Sequence, residues 1–250
     1  MIERSSKAFS LMFVTMLIIV TSFFLLETHR LEKQSLGNLA IIAKLKAESI
    51  EQWYRERQSD CEYLAQSNDL FNHIQSLLAH PEDQTARNLL LTRLSALTTV
   101  YDYASVTLTQ ADGQPLLSTD SRAAAGPAAQ SLIGKVVATQ QIAHSDLFLD
   151  ANNLVMMDWL IPMADFTQTD HQVVAILILR VHTDHFLFPM IRSWPSLSSS
   201  AESILVQREN SSIRLLSELK DAPNATLQLV NPLPGFELPE PAAATPKPAP

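Results

Sequence analysis

Two groups of residues in this 250-residue chain could do chemistry. The first is His182-Thr183-Asp184-His185; the second is a set of polar and aromatic residues among apolar strand neighbours, Tyr101, Tyr103, Asp158, Trp159 and Arg180. Histidines three apart on a helix can share a face and hold a metal, but no HExxH pattern occurs and no third ligand is evident. Capping and surface roles account for the histidines, and no metal site is expected. Asp158 and Arg180 would be costly inside an apolar core without a partner. If they point inward, a charged ligand or a mutual ion pair must compensate; otherwise strand alternation puts them on the wet face.

Other chemistry finds little support. There is no G-x-S-x-G elbow and no kinase motif. Five glycines in all leave scant provision for a backbone phosphate cradle, so neither enzymatic activity nor a cofactor is expected. The net charge is -8 and no Lys/Arg run occurs, which removes the electrostatic footprint of nucleic-acid binding. The one cysteine, Cys61, rules out an intrachain disulfide and any CxxC site.

The strongest local signal lies near the N-terminus. Ala8 to Leu26 carries no charge and is about as long as a helix needs to cross the roughly 30 Å hydrocarbon core of a bilayer. Arg4 and Lys7 precede it, opposed only by Glu3, while mixed charges follow from Glu27 to Lys33. The positive-inside rule then gives a cytoplasmic leader (1–7), a transmembrane helix (8–26) and a chain that continues outside. A cleaved signal peptide is the alternative, but Phe23-Phe24-Leu25-Leu26-Glu27 offers no small-x-small cleavage site.

Beyond the anchor no proline appears before Pro81, so a long helix is expected there. Leu36, Ala40, Ala43, Ala47, Ile50, Tyr54, Arg57, Cys61 and Leu64 recur by fours and threes along one stripe. That stripe serves either a parallel homodimer or the chain's own sheet. A disulfide through Cys61 would report the dimer. A second helix follows Pro81, with Ala86, Leu90, Leu94, Leu97 and Tyr101 on one face.

The period then changes. Ser105–Thr109 alternates, Ala111-Asp112-Gly113-Gln114 turns, and Pro115–Ser118 returns as a strand. A short helix over Ala128–Gln140, with Leu132, Val136 and Val137 inward, precedes strands at Asp146–Leu149, Leu154–Met163 and Val173–Val181. Thr183-Asp184 is expected to cap a helix carrying Phe186, Phe188 and Ile191, and Ser203–Arg208 with Ile213–Leu216 reads as a last hairpin. Long helices followed by consecutive hairpins argue for an α+β domain on an antiparallel sheet with flanking helices. Seven of the 14 prolines fall between Pro232 and Pro250, so 221–250 reads as a disordered proline-rich tail.

Three stretches carry a resemblance: Ile50–Arg57, Ser105–Ser118 around Asp112-Gly113, and Val173–Arg180 through Phe186-Leu187-Phe188-Pro189 and Ser193-Trp194-Pro195 to Ser200–Val206. Together they make roughly 27–220 resemble the periplasmic PAS-like, Cache-type sensor region of bacterial receptors of the histidine kinase or diguanylate cyclase kind. The resemblance implies a single-pass inner-membrane protein with a periplasmic sensor domain, which binds a small molecule between sheet and helices. Tyr101, Tyr103, Asp158, Trp159 and Arg180 would be its ligand contacts. Such receptors commonly continue into a second lobe, a second membrane helix and an output module. No second apolar run of that length is present here, so a signal is expected to leave through a membrane partner. The alternative is a periplasmic scaffold, or a receptor fragment without ligand.

Overall fold

The structure is a computed structural model that describes residues 2–120, 126–164, 172–193, 202–209, 212–217, 227 and 229–230. The chain divides into two units, Met1–Tyr54 and Arg55–Pro250. Helix α1 (Ile2–Ala65) begins in the first and ends in the second.

In the first unit, Met12 to Leu26 is exposed throughout despite its apolar side chains. The helix that carries it is long and apolar enough to cross a membrane. Its threonines suit such a medium, because their hydroxyls donate to the helix's own carbonyls, Thr15 Oγ1 to Met12 O (2.9 Å) and Thr21 Oγ1 to Leu17 O (2.7 Å). Leu36 on the expected stripe is also exposed.

The second unit opens with the last turns of α1. The helix does not run on to Pro81: it stops at Ala65, and α2 (Asn68–Ala79) starts after Ser67, whose hydroxyl accepts from Leu70 N (3.3 Å). A serine at an N-cap satisfies a donor that the helix leaves open, so the break is encoded locally. Asp83 does the same for α3 (Gln84–Tyr101), accepting from Thr85 N and Ala86 N. Cys61 is fully buried in this unit. This end of the α1 stripe therefore faces its own domain, and a Cys61 disulfide cannot serve as a reporter of helix pairing.

The sheet is antiparallel throughout, with order β2-β1-β6-β5-β3 and β4 paired to β5. Its strands are β1 (Tyr103–Gln110), β2 (Pro115–Ser118), β3 (Ala143–His144), β4 (Phe148–Leu149), β5 (Val155–Ala164) and β6 (Val173–His182). The β1–β2 hairpin turns at Gly113, whose φ of +90° an L residue rarely adopts. Pro162 sits inside central strand β5 without breaking a ladder, because β3 pairs only as far as Leu160 and leaves that edge open.

Helix α4 (Pro127–Thr139) covers one sheet face, where Ala129, Ile133 and Val136 cluster with Leu160, Ile176 and Ile178. Ile133 replaces the expected Leu132 and Val137 as a fully inward residue; those two are only partly buried. After β6, α5 (Leu187–Arg192) has Phe186 at its N-cap and no side-chain cap, contrary to the Thr183-Asp184 expectation. Thr183 is buried and donates its hydroxyl to Val155 O (2.7 Å), while Phe186 is exposed and Leu187 packs inward instead.

A second antiparallel sheet, β7-β8-β9, comprises β7 (Val206–Glu209), β8 (Ser212–Leu215) and β9 (Leu229–Val230). Two of its strands match the expected hairpin. The third falls within 221–250, the rest of which, apart from Leu227, lies outside the described residues. So do Trp194-Pro195 and Ser200-Ala201, which belong to the third stretch that carries the resemblance.

Candidate functional site

Strand alternation and register decide which of the chosen residues meet. Asp158 and Arg180 are a cross-strand pair of β5 and β6, two residues from Leu160 and Ile178, and so share the α4 face. Ser105 stands opposite Arg180 on β1 and completes a polar row, Ser105–Arg180–Asp158. Trp159, one residue on, points to the opposite face, as does Tyr103, the partner of Val181. Tyr101 ends α3 beside Tyr103. The five residues therefore divide between two sheet faces and do not form one site.

The wet-face reading fails on burial. Strand β5 is buried along its whole length, with Asp158 at 0% and Trp159 at 3% exposure, and Tyr103 is equally inaccessible. The reason is the layering: a sheet with helices on both sides has no solvated face in its centre. Of the two inward alternatives, the ion pair is realised. Arg180 Nε donates to Asp158 Oδ1 (2.8 Å) and Nη2 to Oδ2 (2.9 Å), a bidentate match of planar groups. The Asp158 carboxylate holds the guanidinium pKa above its ordinary value, and burial opposes it only in part. The Asp158 backbone is pinned as well: its N–H donates to Ser145 Oγ (3.0 Å), while Ser145 N–H donates to Asp158 O (2.8 Å).

What surrounds the guanidinium gives it a direction. Phe148 lies beneath it, 5.2 Å from the guanidinium carbon to the ring centroid. Gly126, the N-cap of α4, comes so close that a β-carbon there would stand 3.3 Å from Arg180 Nη2. Gly126 offers no side-chain cap, Pro127 follows it, and the first turn has no acidic residue. Among the described residues no side chain caps the N-terminus of α4, and that end and the Arg180 guanidinium converge on one region, a combination that favours an anion. The carboxylates of Asp120 and Asp150 also act on Arg180 from outside the pair. Asp150 is committed to its own turn, accepting from Asn152 N and Leu154 N. Sequence reasoning missed Gly126, Phe148 and Ser145; a Gly-Pro helix start was the available signal for the first.

The histidine pair is accounted for differently. His182 and His185 stack with centroids 4.5 Å apart, and His185 Nδ1 lies 2.7 Å from Asp102 Oδ2. Among the described residues no group of three or more His, Cys, Asp or Glu could hold a metal. A separate open cavity of about 690 Å³ lies at the β3 edge, lined by Gln58, Glu62, Gln66, Gln140 and Gln141 with Pro162.

Neither a protein-family model nor a curated protein matches the chain. Solved structures do. The ligand-binding domain of the Pseudomonas aeruginosa amino acid chemoreceptor PctC, in complex with GABA, is similar at 18% identity and a TM-score of 0.52, covering 77% of each chain. The sensory domain of the Campylobacter jejuni chemoreceptor Tlp3 (CcmL) follows at 14% identity and 0.49, covering 73% of this chain and 87% of its own. The sensor domain of the V. cholerae histidine kinase DctB matches at 8% identity and 0.47, covering 73% and 86%. With a TM-score above 0.5 to the first of these, the chain has the fold of the PAS-like, Cache-type sensor domains of bacterial receptors.

Proposed function

We propose that this protein is a single-pass membrane sensor whose domain outside the cytoplasm binds a small amino-carboxylate on the α4 face of its sheet. The observation that carries this is the Arg180 guanidinium, held bidentately by buried Asp158 and lying at the uncapped N-terminus of α4. The ligand's carboxylate takes Arg180 and the first-turn N–H groups of α4; its ammonium faces the carboxylates around them. Asp158 stays with Arg180 and orients it. GABA, held by the similar Pseudomonas domain, has both charged groups, which supports the same class here.

A thermal-shift series on the full-length protein tests the ligand class. Amino-carboxylates should raise the melting temperature, since ligand at a hundred times its Kd stabilises the folded state by about 2.7 kcal/mol. Monocarboxylates should act weakly and alkylamines not at all. Gly126→Val, which fills the space beside Arg180, should abolish the response. The ligand class is wrong if no amino-carboxylate shifts the transition or if amines alone suffice.

The orientation follows from Arg4 and Lys7 on the N-terminal side of the apolar run. Protease added to intact spheroplasts should degrade the domain from Arg55 onward. Protection of that domain until the membrane is lysed would reverse the assignment.

A further inference from the structure

The same end of β1 holds, on the other face of the sheet, a second constellation that the amino-carboxylate site does not use. Asp60, Tyr63 and Leu64 stand at i, i+3 and i+4 on the last turns of α1 and so share one helix face. Across from them, Asp102 takes a left-handed conformation (φ 59°) between α3 and β1 and brings Tyr101 and Tyr103 side by side, centroids 6.2 Å apart. Asp60, Tyr63, Leu64, Tyr101 and Tyr103 line a cleft of about 180 Å³.

Two features bear on what the cleft holds. Its walls are electron-rich: three phenol rings and a carboxylate, with Tyr103 OH donating to Asp60 Oδ2 (3.5 Å). The corner already carries one organic cation, because Arg57 Nη2 reaches Asp60 Oδ2 (3.0 Å) and the guanidinium lies 5.8 Å from the Tyr103 ring centroid. Arg57 is not among the residues lining the cleft, although it shares the Asp60 carboxylate oxygen with Tyr103. Tyr63 and Tyr101 remain 73% and 38% exposed, which leaves ring surface open to a ligand. An anion would face the carboxylate and the negative ring faces, whereas a cation is attracted by both. The volume lies well below the roughly 300–1,000 Å³ of sites for drug-sized ligands.

We infer that Asp60, Tyr63, Tyr101 and Tyr103 form a second binding site, for a small alkylammonium cation, on the sheet face opposite the Asp158–Arg180 pair. The site does not depend on the amino-carboxylate reading. It sits where α1 meets the first strand of the sheet, so occupancy would tie the rings of the α3–β1 corner to the α1 turn that carries Asp60 and Tyr63.

The test uses full-length protein in a maltoside detergent, which has no ammonium headgroup, titrated with choline and followed by saturation-transfer NMR at the N-methyl signal. The neutral isostere 3,3-dimethylbutan-1-ol is the control. Choline should bind saturably and the alcohol about tenfold more weakly, the difference being the charge on the aromatic walls. Tyr101→Leu and Tyr63→Leu should each weaken choline by about three- to tenfold; Tyr63 is exposed enough for its replacement to leave the fold intact. Gly126→Val should change nothing. Absence of saturable choline binding, equal binding of the alcohol, or loss on Gly126→Val with the tyrosine variants unaffected would each overturn the site.

Discussion

Arg180→Met is expected to destabilise the domain by about 3–5 kcal/mol, the range for removing one partner of a buried ion pair. The cost comes from the residue left behind. Asp158 has no accessible surface, and its carboxylate oxygens both face the guanidinium. Removing Arg180 strands that charge between β5 and the α4 layer, where water cannot replace the lost donors. Asp158→Ala should cost less, near the lower end of that range, because the Arg180 side chain keeps 14% exposure and can turn its head to solvent. The double variant Asp158→Leu/Arg180→Met should recover most of the loss, since an apolar replacement of both partners is often neutral or better. Urea unfolding followed by far-UV circular dichroism gives all three values. A single Arg180→Met variant within 1 kcal/mol of wild type would mean that the pair is solvated. The double variant also separates stability from function, because it should fold and yet show no thermal response to amino-carboxylates.

The same pair shows what the sequence could and could not reveal. Asp158 and Arg180 stood out as charges in apolar runs, and the physical argument narrowed them to a ligand, a mutual pair or the wet face. Choosing among these needed the register, because Asp158 meets Arg180 only when β5 and β6 pair with Met156 opposite His182. Nothing local to either strand fixes that offset. The β1–β2 hairpin was legible for the opposite reason: Asp112-Gly113 sets its own turn geometry, and the strands follow. Helix α3 was legible too, since it follows Pro81, although Pro81 lies in the turn before the helix and Asp83 is the cap.

Failures arose where tertiary packing overruled a local signal. Thr183 has the chemistry of an N-cap, but its hydroxyl is drawn to Val155 O on the neighbouring strand. The helix then begins at Leu187 without a cap. The α1–α2 break carries no proline to mark it; its local signal is Ser67 with Asp69 two residues on, a helix start. Tyr101 and Tyr103 were grouped with Asp158 and Arg180 on residue type alone. A register shift between Tyr103 and Ser105 sets Tyr103 opposite Val181 and so on the other side of the sheet, where it and Tyr101 at the end of α3 meet α1.

That α1-facing corner carries the second large effect, a loss of stability at alkaline pH. Burial raises the Cys61 thiol from its ordinary 9.0 to about 12, with Asp60 adding to the shift and Arg57 opposing it. Burial likewise raises the Tyr103 phenol, reinforced by neighbouring Cys61 and by its hydrogen bond to Asp60. Both groups are neutral when protonated, so the folded state keeps protons that the unfolded chain releases. Between pH 9 and 12 the folded form therefore binds more protons, and stability falls as pH rises, by about 1.4 kcal/mol per pH unit for each group. For Cys61 alone the loss should reach about 4 kcal/mol at pH 12, and Tyr103 should steepen the decline above about pH 10. Below pH 8 neither group contributes a slope. Urea midpoints at pH 8, 9, 10 and 11 measure the decline, and Cys61→Ala should flatten its first part while leaving the Tyr103 contribution. A thiol reagent at neutral pH should leave Cys61 unmodified until denaturant is added. Identical alkaline slopes for wild type and Cys61→Ala, or rapid labelling of the native protein, would show that the α1 end of the stripe is not closed against its own sheet.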